Sequence, residues 1–182
     1  RKIVQVTEEQ YHILDSLDAN RCMSIGGGAG TGKTLLALEK SRRLASHGFR
    51  TLLTCYNRTL AENLKKDVCE LEQLYIRSFH HLCGELAHYS GIKTNQAVDE
   101  TYFYERLLPE VLVKSVKMNP ELKFEGIVVD EGQDFIPQWW EALEASLDDS
   151  FGGFFYIFYD NKKYWAEPMR MTWNLESHSM YS

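Results

Sequence analysis

A chain of 182 residues with 44% apolar and 25% charged side chains is long enough for one α/β domain with its own core and cramped for two. This composition excludes wholesale disorder and fibrous repeats, and a formal charge of −6 argues against coating nucleic acid by charge alone, while leaving room for a local basic groove. Four cysteines without a C-x-x-C pair, no apolar run near the roughly 18 residues of a membrane span and no apolar signal core point to a reducing, intracellular setting, cytoplasmic or nuclear, with no membrane partner.

The first element in chain order is an amphipathic helix over 8–17, followed by a short apolar strand over 22–25. Next comes Gly27-Gly28-Ala29-Gly30-Thr31-Gly32-Lys33-Thr34, which satisfies G-x-x-x-x-G-K-[ST] and leads into a helix over 33–46. Strand, glycine loop and helix in that order are what phosphate binding requires. Glycines let the backbone curl so that successive N–H groups point inward, and the helix adds its positive N-terminal end. Gly28, Ala29, Gly30, Thr31, Gly32, Lys33 and Thr34 are therefore expected to cradle ATP. Lys33 would bridge the β- and γ-phosphates, and Thr34 would give its hydroxyl to Mg²⁺.

Gly48 stands where a helix C-cap precedes the next strand, 51–55. A helix over 60–71, a strand over 74–77 and helices over 79–89 and 99–117 follow. The stretch 91–121 is the least strand-like, and a small helical insertion is expected at about 83–122. The strand over 127–130 is unbroken by polar residues until it ends in Asp130-Glu131, as a central strand covered on both faces should be. Asp130 is placed to hold Mg²⁺, directly or through water, and Glu131 to polarise the attacking water as general base. A helix over 137–147 and a strand over 154–159 complete a parallel sheet flanked by helices.

With these motifs in place the chain resembles the UvrD/Rep-like superfamily 1 helicases, in their first RecA-like, P-loop NTPase domain. Asp130-Glu131-Gly132-Gln133-Asp134 looks like the family's D-E-x-Q-D motif, which implies catalytic work for Gln133 beside Lys33 and Glu131. Thr7-Glu8-Glu9-Gln10 resembles the Q motif, implying that Gln10 reads the adenine edge. The segment from Leu52 to Arg58 resembles motif Ia, and Arg77-Ser78-Phe79-His80-His81-Leu82 resembles motif Ib. Both line the single-strand path in relatives. Tyr56 and Phe79 would offer stacking faces, and Asn57, Arg58, Ser78 and His80 phosphate or sugar contacts.

The same resemblance marks departures. Where relatives carry G-D-x-x-Q, Tyr159 takes the glycine position and Lys163 the glutamine position; Tyr164 and Trp165 suit a stacked base and core packing equally. Met171-Thr172-Trp173-Asn174-Leu175 resembles the start of motif IV, with Glu176 where relatives place an arginine, and Leu35 stands where many place an adenine-stacking arginine. The expected organisation is a RecA-like domain over 1–168 and a tail over 169–182 where a second RecA-like domain would begin. The implied function is the ATP-binding half of a DNA helicase or single-strand translocase. Its partners would be single-stranded DNA or RNA and that second domain, with no small-molecule acceptor. The alternative is a nucleotide-dependent switch in a larger nucleic-acid-processing or defence assembly. The isolated fragment is expected to be nearly inactive.

Overall fold

The computed structural model describes residues 8–68, 71–94, 99–150, 152–161 and 176–179. Helix α1 (Glu8–Ala19) precedes β1 (Cys22–Gly27), α2 (Lys33–Ser46), β2 (Thr51–Cys55), α3 (Arg58–Asp67), β3 (Leu74–Ser78) and α4 (Phe79–Tyr89). Then come α5 (Glu100–Tyr102), a π-helical turn (Phe103–Leu107), α6 (Leu108–Met118), β4 (Gly126–Val129), α7 (Pro137–Ala145), β5 (Phe154–Asp160) and β6 (Glu176–Ser179). The strands form one sheet in the order β3-β2-β4-β5-β1-β6, every neighbouring pair parallel. The expected elements appear in the expected order, with ends that coincide or shift by up to four residues; the π-helical turn and β6 were not expected.

Alternation along the strands divides the core in two. Ile127, Val129, Phe155 and Ile157 face α4, α6 and α7, joining Leu82, Leu112 and Trp140. Val128, Tyr156 and Phe158 face the other way with Ile25, against Leu14 of α1, Leu36 of α2 and Leu64 of α3. Neighbours on a strand thus bury opposite faces, so polar residues are absent from β4. Each such side chain stabilises the fold by about 1.5–3 kcal/mol. The segment expected as a helical insertion, about 83–122, supplies much of one layer: Cys83, Leu86, Leu108 and Val116 all lie in its core.

Two local devices set the elements that carry the site. Gly48, at φ 89°, ends α2 in the left-handed region. Its N–H bonds Ala45 O at 3.0 Å and the Phe49 N–H bonds Leu44 O at 3.2 Å, a Schellman closure that turns the chain into β2. Asn57 starts α3 two residues earlier than expected, its Oδ1 accepting the Leu60 N–H at 3.1 Å. Residues 176–179, expected in the tail, pair with β1 as an edge strand of this same sheet, Met23 opposite Glu176.

Candidate nucleotide site and its surroundings

All the expected phosphate-binding residues sit where β1 passes into α2 at the C-terminal edge of the sheet. Gly30 and Gly32 have φ of 79° and 83°, backbone that side-chain-bearing residues adopt only under strain, and a Cβ at Gly30 would meet nothing within 4 Å. Gly32 is the N-cap of α2; no side chain caps the helix and its first turn holds no acidic residue, so the leading N–H groups are left for an anion. The Thr31 hydroxyl donates to Gly28 O at 2.9 Å and braces the loop. The buried Lys33 ammonium donates to Gly27 O at 2.8 Å and to Gly28 O at 2.7 Å, so its charge is already held at the loop.

Asp130 follows β4 and is fully buried. Its N–H is fixed by Thr54 O at 2.9 Å, and its Oδ1 accepts the Glu131 N–H at 3.0 Å. Thr34 lies close enough to draw the carboxyl pKa down, yet Oδ2 makes no hydrogen bond of ordinary geometry. Burial dominates, reinforced by the Glu131 charge and opposed by Thr34 and Lys33, and carries the Asp130 carboxyl up to about 6. A buried carboxylate oxygen without a partner beside a threonine hydroxyl fits a hard divalent cation, which takes oxygen donors and a negative charge. Thr34 and Asp130 would hold Mg²⁺, and the P-loop amides with Lys33 would hold ATP.

Glu131 has φ 55°, the one described non-glycine residue in left-handed backbone. Such a strained residue persists only when its surroundings over-determine it. The strain follows from its neighbours. At Gly132 an added Cβ would lie 2.6 Å from Ile157 Cγ2, so the chain turns tightly against β5. The Gln133 Nε2 then donates to Glu131 Oε2 at 2.5 Å, and the Gln133 Oε1 accepts the Asp160 N–H at 2.8 Å. Gln133 thus ties the candidate base to the end of β5. Tyr159, at the glycine position of the G-D-x-x-Q pattern, lies across Gly26, where a Cβ would come within 2.8 Å of its ring.

The expected nucleic-acid residues divide sharply. Tyr56 is 48% exposed, and Arg58 is exposed with its Nε on Glu62 Oε1 at 2.8 Å. Asn57 uses its Oδ1 as a helix cap. Ser78 and Phe79 correct the expectation: both are buried, because α4 begins directly at the end of β3 and turns them into the core. Phe79 stacks on Trp139 at 5.1 Å, so it offers no face to a base. His80 is partly buried among Tyr56, Tyr104 and Trp139, with ring centroids 5.8, 4.9 and 4.7 Å away. Burial holds its pKa below the ordinary value. Trp139 and Tyr104 carried no sequence signal, because they meet only through tertiary packing. For Gln10 only the backbone, within α1, is described; Lys163, Tyr164, Trp165 and residues 171–175 lie outside the described residues.

No curated protein matches the chain. Among solved structures, two similar chains are one from work on DNA unwinding at forked double-stranded DNA by two coordinating Pif1 helicases and a Bacteroides Pif1 bound to single-stranded DNA. The first is 18% identical with a TM-score of 0.47, over 86% of this chain and 34% of that one. The second is 19% identical with a TM-score of 0.46, over 86% and 32%. The chain spans about a third of the length of those helicases. A family model described as an AAA domain matches residues 10–151, well over half of the sequence that carries this loop and acidic strand, and the chain belongs to that family.

Proposed function

We propose that this domain is the ATP-binding half of a superfamily 1 motor of the UvrD/Rep-like type, acting on single-stranded nucleic acid. The observation that carries the nucleotide part is the unpartnered, fully buried Asp130 Oδ2 beside Thr34 and the P-loop. The motor part is supported by the ordered motifs, with D-E-x-Q-D the most specific, and by an exposed ring at Tyr56 next to Arg58 on the C-terminal edge of the sheet. ATP with Mg²⁺ supplies the phosphoryl group that is transferred to water.

The chain's own residues do the rest. Lys33, whose ammonium rests on the Gly27 and Gly28 carbonyls, would neutralise phosphate charge together with the N–H groups opening α2. Asp130 and Thr34 hold the cation. Glu131, oriented by Gln133, takes the water proton on a carboxylate oxygen. Gln10 reads the adenine edge. In this reading the first RecA-like domain includes β6, 176–179, as the edge strand of its sheet, and a second RecA-like domain of the full-length protein closes on it.

Turnover of ATP by the full-length protein with and without single-stranded DNA tests the motor. Stimulation is expected. Lys163 at the γ-phosphate-sensing position favours the second reading, a nucleotide-dependent switch in a larger assembly, and ATP binding with no stimulation by DNA or RNA would select it.

A further inference from the structure

The helix over 100–118 is interrupted by the π-helical turn Phe103–Leu107, and Pro109 explains its consequence. The Leu108 N–H bonds back five residues to Phe103 O. The next bond of that kind would run to Tyr104 O, but Pro109 has no N–H to give. The Tyr104 carbonyl accepts the Trp139 indole Nε1–H instead, at 3.2 Å. Trp139 in turn lies between two rings, Phe79 at 5.1 Å and Tyr56 at 5.6 Å, both nearly parallel to it at 24° and 16°. The turn is therefore fastened to a stack that begins in the core and ends at the surface.

This fastening sets the Tyr104 ring 4.9 Å from His80, which Tyr56 also approaches, at 5.8 Å. Tyr56 and Tyr104 remain 48% and 39% exposed. Two partly exposed rings, both packed against one imidazole, need less reordering to receive a planar partner than free side chains would. Two residues after Tyr56, in the first turn of α3, the exposed Arg58 guanidinium pairs with Glu62 at 2.8 Å and would exchange that partner for a phosphate. We propose that Tyr104, presented by the π turn and registered by Trp139, is a second base-contacting ring of the single-strand path. The inference rests on the nucleic-acid reading above and extends it to an element between β3 and β4 that no motif covers.

The test is anisotropy of a labelled oligothymidylate titrated with the full-length protein and its Tyr104→Ala, Tyr104→Phe and Trp139→Phe variants, with thermal midpoints and ATP affinity measured alongside. Tyr104→Ala should weaken binding roughly tenfold or more, as loss of one base–aromatic stack does. Tyr104→Phe should keep it, and Trp139→Phe, which keeps a ring but deletes the donor, should fall between, all with ATP affinity unchanged. Wild-type binding by Tyr104→Ala, while Tyr56→Ala is weakened, would overturn the role of Tyr104 and leave the nucleic-acid reading standing. Equal losses in Tyr104→Ala and Tyr104→Phe would also overturn it, since the ring would not be the contact. Failure of the wild-type protein to bind the probe would overturn the nucleic-acid reading itself.

Discussion

Replacing Asp130 by asparagine should stabilise the nucleotide-free protein while removing a ligand of the proposed Mg²⁺ site. In the folded chain the carboxyl stands at about 6 against an ordinary 3.8, because burial and the Glu131 charge both disfavour ionisation. A group whose folded pKa is raised favours the fold while it is protonated. Its contribution is fully present below 3.8 and is lost as pH rises through about 6. The difference corresponds to about 3 kcal/mol at pH values above both. Asparagine keeps the shape without the charge, so the variant should regain most of that stability at pH 8 and little at pH 4. For a chain of this size about 3 kcal/mol moves the thermal midpoint by roughly 6–12 °C. Thermal unfolding in chelator should therefore show Asp130→Asn above wild type at pH 8, with the gap closing on acidification. With Mg²⁺ and ATP present the gap at pH 8 should narrow, since the wild type, which keeps the proposed cation ligand, gains more from the bound ligand. A variant no more stable than wild type at pH 8, or a gap equally wide at pH 4, would refute this account of the buried carboxylate.

Four further variants probe the turn after β4. Glu131→Gln should lower ATP turnover by about 10²–10⁴-fold with nucleotide affinity preserved, as single-turnover and equilibrium binding measurements would show. Gln133→Ala releases Glu131 and the Asp160 N–H together; kcat should fall about tenfold while KM changes little, and Gln133→Glu, which cannot donate to Glu131, should not rescue it. Gly132→Ala places a methyl 2.6 Å from Ile157 and should destabilise by about 1–3 kcal/mol in urea unfolding.

The nucleotide half of the site was legible because its chemistry is local. A glycine loop between a strand and a helix, and a strand ending in two carboxylates, carry both the residue types and the backbone geometry in a few consecutive positions. The fold was legible for a related reason, since β4 and β5 bury both faces and leave runs without polar residues. The strand-side contacts were harder. Tyr56 and Phe79 each follow a buried strand by one position, yet Tyr56 begins a loop capped by Asn57 whereas Phe79 begins a helix whose first turn faces the core. Nothing in either sequence window distinguishes them. Tyr104 and Trp139 lie 35 residues apart and meet through a carbonyl that a proline leaves without its helical partner, a relation visible only once the π turn is formed. Gln133 was expected in catalysis, but its link to Asp160 depends on β5 lying beside β4.

The most direct measurement is a calorimetric titration of ATP, in Mg²⁺ buffer, into the full-length protein and its Lys33→Ala variant. Wild type should bind one nucleotide, and the variant, lacking the ammonium now held on Gly27 O and Gly28 O, should bind at least tenfold more weakly. Equal affinities in the two proteins would contradict the assignment of the P-loop as the nucleotide site.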